Sequence, residues 1–254
     1  MYKQLTKSDF LKQFRMQEED IPEALIIYGE WDAGKIVRCW RESICPLDQL
    51  IAPDVFVGRC DNGTRYGLSV TYGSAKTSQL VHTFSLLGVK LVLQVGSFGG
   101  LLPGRHVGHL LFPTEAFRGE GASDFYLGLG EKAAASQPIV EWLCAQGQSR
   151  QIECSTGEIM TINAMLGERW EDVQRWSKEG YAGVDLETAT TYAVAKHFNV
   201  PRAGILYLAD NLIEGRGLHA VSSTEKEIKA AARLTVSRLA VEAVSRWAAA
   251  DAAG

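Results

Sequence analysis

The chain has 254 residues, 46% of them hydrophobic and 22% charged, with a formal net charge of −4, the make-up of a globular protein with enough apolar material for a full core. A slightly acidic balance leaves no electrostatic footprint for nucleic acid, and no run of about 18 apolar residues offers a membrane span. Cys39, Cys45, Cys60, Cys144 and Cys154 are scattered without a C-x-x-C pair, which argues against a zinc knuckle or dithiol motif and for reduced, buried thiols. The opening stretch MYKQLTKSDFLKQFRMQEED is too charged for a secretory signal. The expectation is a cytoplasmic protein whose partners are small molecules, not nucleic acid or membrane.

Short apolar runs bounded by glycine predict strands at 24–29 (ALIIYG), 66–73 (YGLSVTYG), 89–96 (VKLVLQVG), 107–113 (VGHLLFP) and 202–210 (RAGILYLAD). The third and fifth are nearly continuous in apolar residues, as strands covered on both faces are. Helical patterns fall at 78–87, closed by Gly88, at 187–198, and at about 225–249, where Ser222 and Glu225 form a capping-box pattern. Strands alternating with helices imply an α/β fold, a three-layer sandwich with a central mixed β-sheet flanked by helices. Without an internal repeat or linker, residues 1–254 read as one domain.

In such sheets ligands gather at the carboxyl ends of strands. The residues found there are Gly29-Glu30, Gly73-Ser74, Gly96-Ser97, Asp210 and the VDLETAT segment from Val184. In this order the chain resembles the nucleoside phosphorylase family, which includes purine nucleoside and uridine phosphorylases and related nucleoside hydrolases. The resemblance rests on LGVKLVLQVGSFGGLLPGRHVGHLLFP (87–113), FRGEGASDFYL (117–127), GVDLETAT (183–190) and GILYLADN (204–211).

That resemblance implies cleavage of an N-glycosidic bond by phosphorolysis, giving free base and ribose 1-phosphate, with inorganic phosphate as co-substrate, no other cofactor, no metal and a homo-oligomer. It makes Glu187 the carboxylate that grips the ribose hydroxyls. Asp185 and Leu186 stand where the family has a glutamate and a methionine under the sugar, and Met165 where it stacks an aromatic ring on the base. Asp210 matches the acid that protonates a purine leaving group. The uracil-specific Gln-x-Arg pattern is not found in 157–178, so a purine-type base and purine salvage are expected.

Gly73, Ser74, Gly96 and Ser97 are read as the sugar and phosphate turns. Two departures bear on the phosphate. Gln94 stands where the family has an arginine, and Glu30 and Asp32 follow the first strand, with Lys35 the nearest cation. Losing two charge-assisted contacts lowers phosphate affinity by about 10²–10⁴-fold. Arg38, Arg59 or Arg65 is then expected to enter the site from this or a neighbouring subunit, or water replaces phosphate with Glu30 or Asp32 as general base; a non-catalytic nucleoside binder is the remaining alternative. His106 and His109 lack the companions a metal needs. Trp142, Trp170 and Trp176 read as core or subunit-contact residues.

Overall fold

The computed structural model describes residues 4–51, 54–215 and 222–249. The first half runs α1 (Lys7–Phe14), β1 (Ala24–Gly29), α2 (Ala33–Ser43), β2 (Asp48–Ile51), β3 (Val55–Arg59), β4 (Arg65–Thr71), α3 (Ser74–Leu87), β5 (Leu91–Gly100) and β6 (Leu110–Arg118). It continues through β7 (Ala133–Ala134), α4 (Gln137–Ser149), β8 (Cys154–Thr161), α5 (Trp170–Lys178), β9 (Gly183–Asp185), α6 (Thr188–His197), β10 (Arg202–Asn211) and α7 (Ser223–Trp247).

All ten strands join one mixed sheet with helices on both faces. β1 is apolar along its length because both its faces are covered, and it pairs in parallel with β4 and β5, while β5 pairs in parallel with β10. Val95, Tyr207 and Tyr28 share one core cluster with Leu239 and Val244 of α7. Ile27, Val92 and Phe84 of α3 share another with Val194 of α6. This common register places Thr71, Gly29, Gly96 and Leu206 in one row at the carboxyl end of the parallel strands.

The sheet departs from a flat sandwich at one end. β5 pairs with β9, β9 with β8, β8 with β6, β6 with β10 and β10 again with β5, so five strands close on themselves. That closure explains why β5 does not stop at Gly96, as the sequence predicts, but runs to Gly100. Gly99 and Gly100 pair with β9 on one side and with Asp210 and Asn211 on the other. A Cβ on Gly99 would stand 2.9 Å from Leu212 Cδ1, and one on Gly100 2.5 Å from Leu208 Cδ1, so these glycines admit close packing and are not a turn.

The five cysteines are free thiols. Trp176 is buried and Trp142 packs against the core, whereas Trp170 is half exposed, so of the two expected roles it does not take the core one. Among the described residues, no helix is long and apolar enough to cross a membrane.

Candidate functional site

The row of strand ends gathers most of the expected residues around one side chain. Glu187 is buried beside the start of α6, and its Oε1 accepts a 2.7 Å hydrogen bond from the Gly73 backbone N–H. Its other oxygen lies over Gly29, where an added Cβ would come within 2.6 Å of it. Burial and the charge of Asp185 both raise the Glu187 pKa, against the pull of the Gly73 donor.

Four expected binding residues turn out to build the seat for this carboxylate. Gly73 takes a positive φ of 94°, which suits a residue without Cβ, and spends its N–H on Glu187. The Ser74 hydroxyl donates to the Leu186 carbonyl at 2.8 Å, tying α3 to the same segment. Asp185 is buried and receives Thr161 Oγ1 at 2.7 Å on Oδ1 and the Thr188 N–H at 3.0 Å on Oδ2, a cap on α6. The polar groups of Gly73, Ser74 and Asp185 are thus engaged inside the protein, around the segment that carries Glu187. The Leu186 side chain is likewise buried.

Gln94 is buried as well, its Oε1 accepting from Thr191 Oγ1 of α6 at 2.9 Å. Its Nε2 would meet a Cβ on Gly29 at 3.1 Å, next to Glu187. The amide walls the carboxylate and does not reach out from the strand end as an arginine would. Gly96 is required by contact, since a Cβ there would meet the Gly29 carbonyl oxygen at 2.8 Å. Ser97, one residue on, is half-buried and pairs with Tyr207.

Asp210 sits at a register shift in the β5–β10 ladder, the kind of bulge that re-aims a side chain. Burial raises its pKa and the positive charge of Lys229 opposes the rise. Glu168, not anticipated from the sequence, lies within electrostatic reach of Asp210, and burial followed by that charge pushes its pKa up to about 7. Met165 opens the short turn before Glu168, and its sulfur is 3.8 Å from the Tyr72 hydroxyl. Tyr72, half exposed, in turn feels the charges of Glu187, Glu30 and Glu168. Tyr72 had a sequence signal, since it follows β4 directly; Glu168 had none beyond standing three residues after Met165.

On the other side, Glu30 Oε2 is 3.6 Å from Lys35 Nζ and Oε1 accepts from the Trp31 N–H. Asp32 caps α2 through the Lys35 N–H at 2.9 Å, so its expected use as a base gives way to a local helix cap. Arg65 and Arg59 pair at the opposite end of the sheet, six residues or roughly 20 Å from Thr71, and Arg38 is exposed on α2. Arg59 and Arg65 therefore do not reach the site from within the chain. Arg233 of α7 does approach it, close to Tyr207 and Glu30. His109 bonds Ser155 Oγ at 2.8 Å with Glu153 beside it.

A family model described as the phosphorylase superfamily matches residues 61–245. The chain belongs to that superfamily. Among curated relatives of this phosphorylase-superfamily chain, guanosine phosphorylase of Halorubrum lacusprofundi is 26% identical over 219 residues, covering 85% of this chain and 89% of the relative. A DeoD-type purine nucleoside phosphorylase of Caldanaerobacter subterraneus subsp. tengcongensis is 24% identical, over 63% of this chain and 67% of its own. Among solved structures, uridine phosphorylase from Vibrio fischeri superposes with a TM-score of 0.78 at 22% identity, covering 90% of this chain and 94% of the other. These relatives are nucleoside phosphorylases, and the superfamily member described above is an enzyme built on their fold.

Proposed function

We propose that this superfamily member cleaves a purine nucleoside by phosphorolysis. The observation that carries the reading is a pair of carboxyl groups at the strand ends: Glu187 seated over Gly29, beside Gly96, and Asp210 at the β10 bulge opposite Gly99. Glu187 Oε2, the oxygen not held by Gly73, accepts the ribose 2′- and 3′-hydroxyl hydrogens. The phosphate oxygen attacks C1′ as the bond to N9 breaks, and the bond's electron pair passes to the base. Asp210 delivers its proton to N7, a role that burial favours by raising the pKa of the carboxyl. Glu168 stands beside it to accept an N–H of the base, and Tyr72 and Met165 cover one face. The named activity of the Halorubrum relative supports a purine substrate. We further read the enzyme as a cytoplasmic homo-oligomer acting in purine salvage.

Hydrolysis with Glu30 as base is the competing reading, motivated by the carboxylate at the end of β1, which stands 3.6 Å from Lys35. Incubation with inosine, guanosine, adenosine and uridine, with and without phosphate, decides. Phosphate-dependent release of purine base and ribose 1-phosphate is the expected result. Free ribose formed without phosphate would establish the hydrolase, and tight binding without product the binder.

A further inference from the structure

The cation missing from the ends of β1 and β5 stands on α7. Arg233 is half-buried and its Nη2 donates to the Tyr207 hydroxyl at 3.4 Å, while its Nε is buried with no hydrogen-bond partner among the described residues. Tyr207 pairs with Ser97, one row beyond Gly96 and its neighbour Gly29, so the guanidinium is set on the Ser97 side of the strand-end row. A buried guanidinium N–H without an acceptor is costly. A tetrahedral oxyanion at Ser97 removes that cost with a charge-assisted, forked contact. Glu30, the acid within electrostatic reach of Arg233, is shared with Lys35. The guanidinium is therefore not closed off by a dedicated ion pair.

Resting on the phosphorolysis reading, we propose that Arg233 binds the phosphate co-substrate, taking over from the closing helix the work that Gln94 cannot do from β5. Tyr207 positions it. The chain thus keeps an anion site but builds it from a different element, with the guanidinium approaching from the α7 face of the sheet and not from the α6 face that holds Gln94.

The test measures initial rates against phosphate and against nucleoside, together with calorimetric titration of inorganic phosphate into the nucleoside-free protein. Arg233→Gln and Arg233→Met, the second keeping the packed aliphatic stem, are expected to raise the phosphate KM and Kd by about 10–100-fold. The nucleoside KM should stay within about threefold, and Arg233→Lys should recover part of the loss. A phosphate KM and Kd unchanged in either folded variant would overturn the assignment. Should the wild-type enzyme release free ribose without phosphate, the phosphorolysis reading fails and the titration alone judges Arg233: phosphate binding abolished in the variants upholds the anion site, and no binding to wild type removes it.

Discussion

At the residue scale the site turns on which carboxyl groups carry a proton. Asp210→Asn keeps a donor's shape but cannot transfer a proton to N7, so kcat should fall about 10²–10⁴-fold with the nucleoside KM little changed. A substrate whose N7 already bears a methyl group and a positive charge needs no proton there. Its cleavage by Asp210→Asn should stay close to the wild-type rate in a spectrophotometric assay, and an equal loss on both substrates would exclude Asp210 as the acid. Gly29→Ala probes the opposite side. Its Cβ would fall 2.6 Å from Glu187 Oε2 and 3.1 Å from Gln94 Nε2, pushing aside the oxygen proposed to grip the ribose. The expected loss in kcat/KM is about 10–100-fold, the equivalent of one charge-assisted hydrogen bond, with a melting temperature near that of the wild type. Much of this was legible in the sequence because Glu187 and Asp210 follow strands in a recognisable order. Glu168 and Arg233 were not, since their relevance comes from how the 165–168 turn and α7 fold back over the strand ends.

At the scale of elements, apolar content located β1, β4, β5, β6 and β10 to within a few residues, and the Ser222 capping box located the start of α7. It missed β2, β3, β8 and the two-residue β7. β2 and β3 lie at the edge, with half-buried and exposed positions, and β8 (CSTGEIMT) is polar in its first half. Closure of the ring through Gly99 and Gly100 was equally hidden, because glycine at a strand end reads as a turn until the strand that crowds it is known. The β9–α6 junction is held by Asp185, and removing it leaves the buried Thr161 and Thr188 donors without their acceptor. Asp185→Ala should lower the unfolding free energy by about 2–4 kcal/mol, measured by urea titration, and Asp185→Asn, which retains an acceptor oxygen, by less. Loss of the Asp185 charge should also lower the pKa of Glu187, because that charge helps to raise it.

At the scale of the whole molecule, the site concentrates carboxyl groups that burial makes hard to ionise, and this sets how stability follows pH. Asp185, Glu187, Asp210 and Glu168 all titrate above their ordinary range in the folded chain, Glu168 at about 7, whereas an unfolded glutamate titrates near 4.3. Between those values the folded state binds more protons than the unfolded state, so its stability falls as pH rises. Asp9, Glu131 and Asp172 have lowered pKa values and act in the opposite sense in more acidic solution, and His109, its pKa lowered chiefly by burial, acts in that same sense just below the ordinary imidazole value near 6.5. The raised carboxyl groups therefore weaken the ligand-free protein as pH rises from about 5 toward 7, with His109 offsetting part of the fall, and the share of Glu168 levels off above that point. Glu168 is partly open to solvent, so its share, after allowance for screening, is about 1–2 kcal/mol. Glu168→Gln cannot ionise and should flatten the decline by that amount in urea titrations at pH 5, 6, 7 and 8. Parallel profiles for the variant and the wild type would show that Glu168 ionises as freely in the folded chain as in the unfolded one, and that its nearness to Asp210 has no electrostatic consequence.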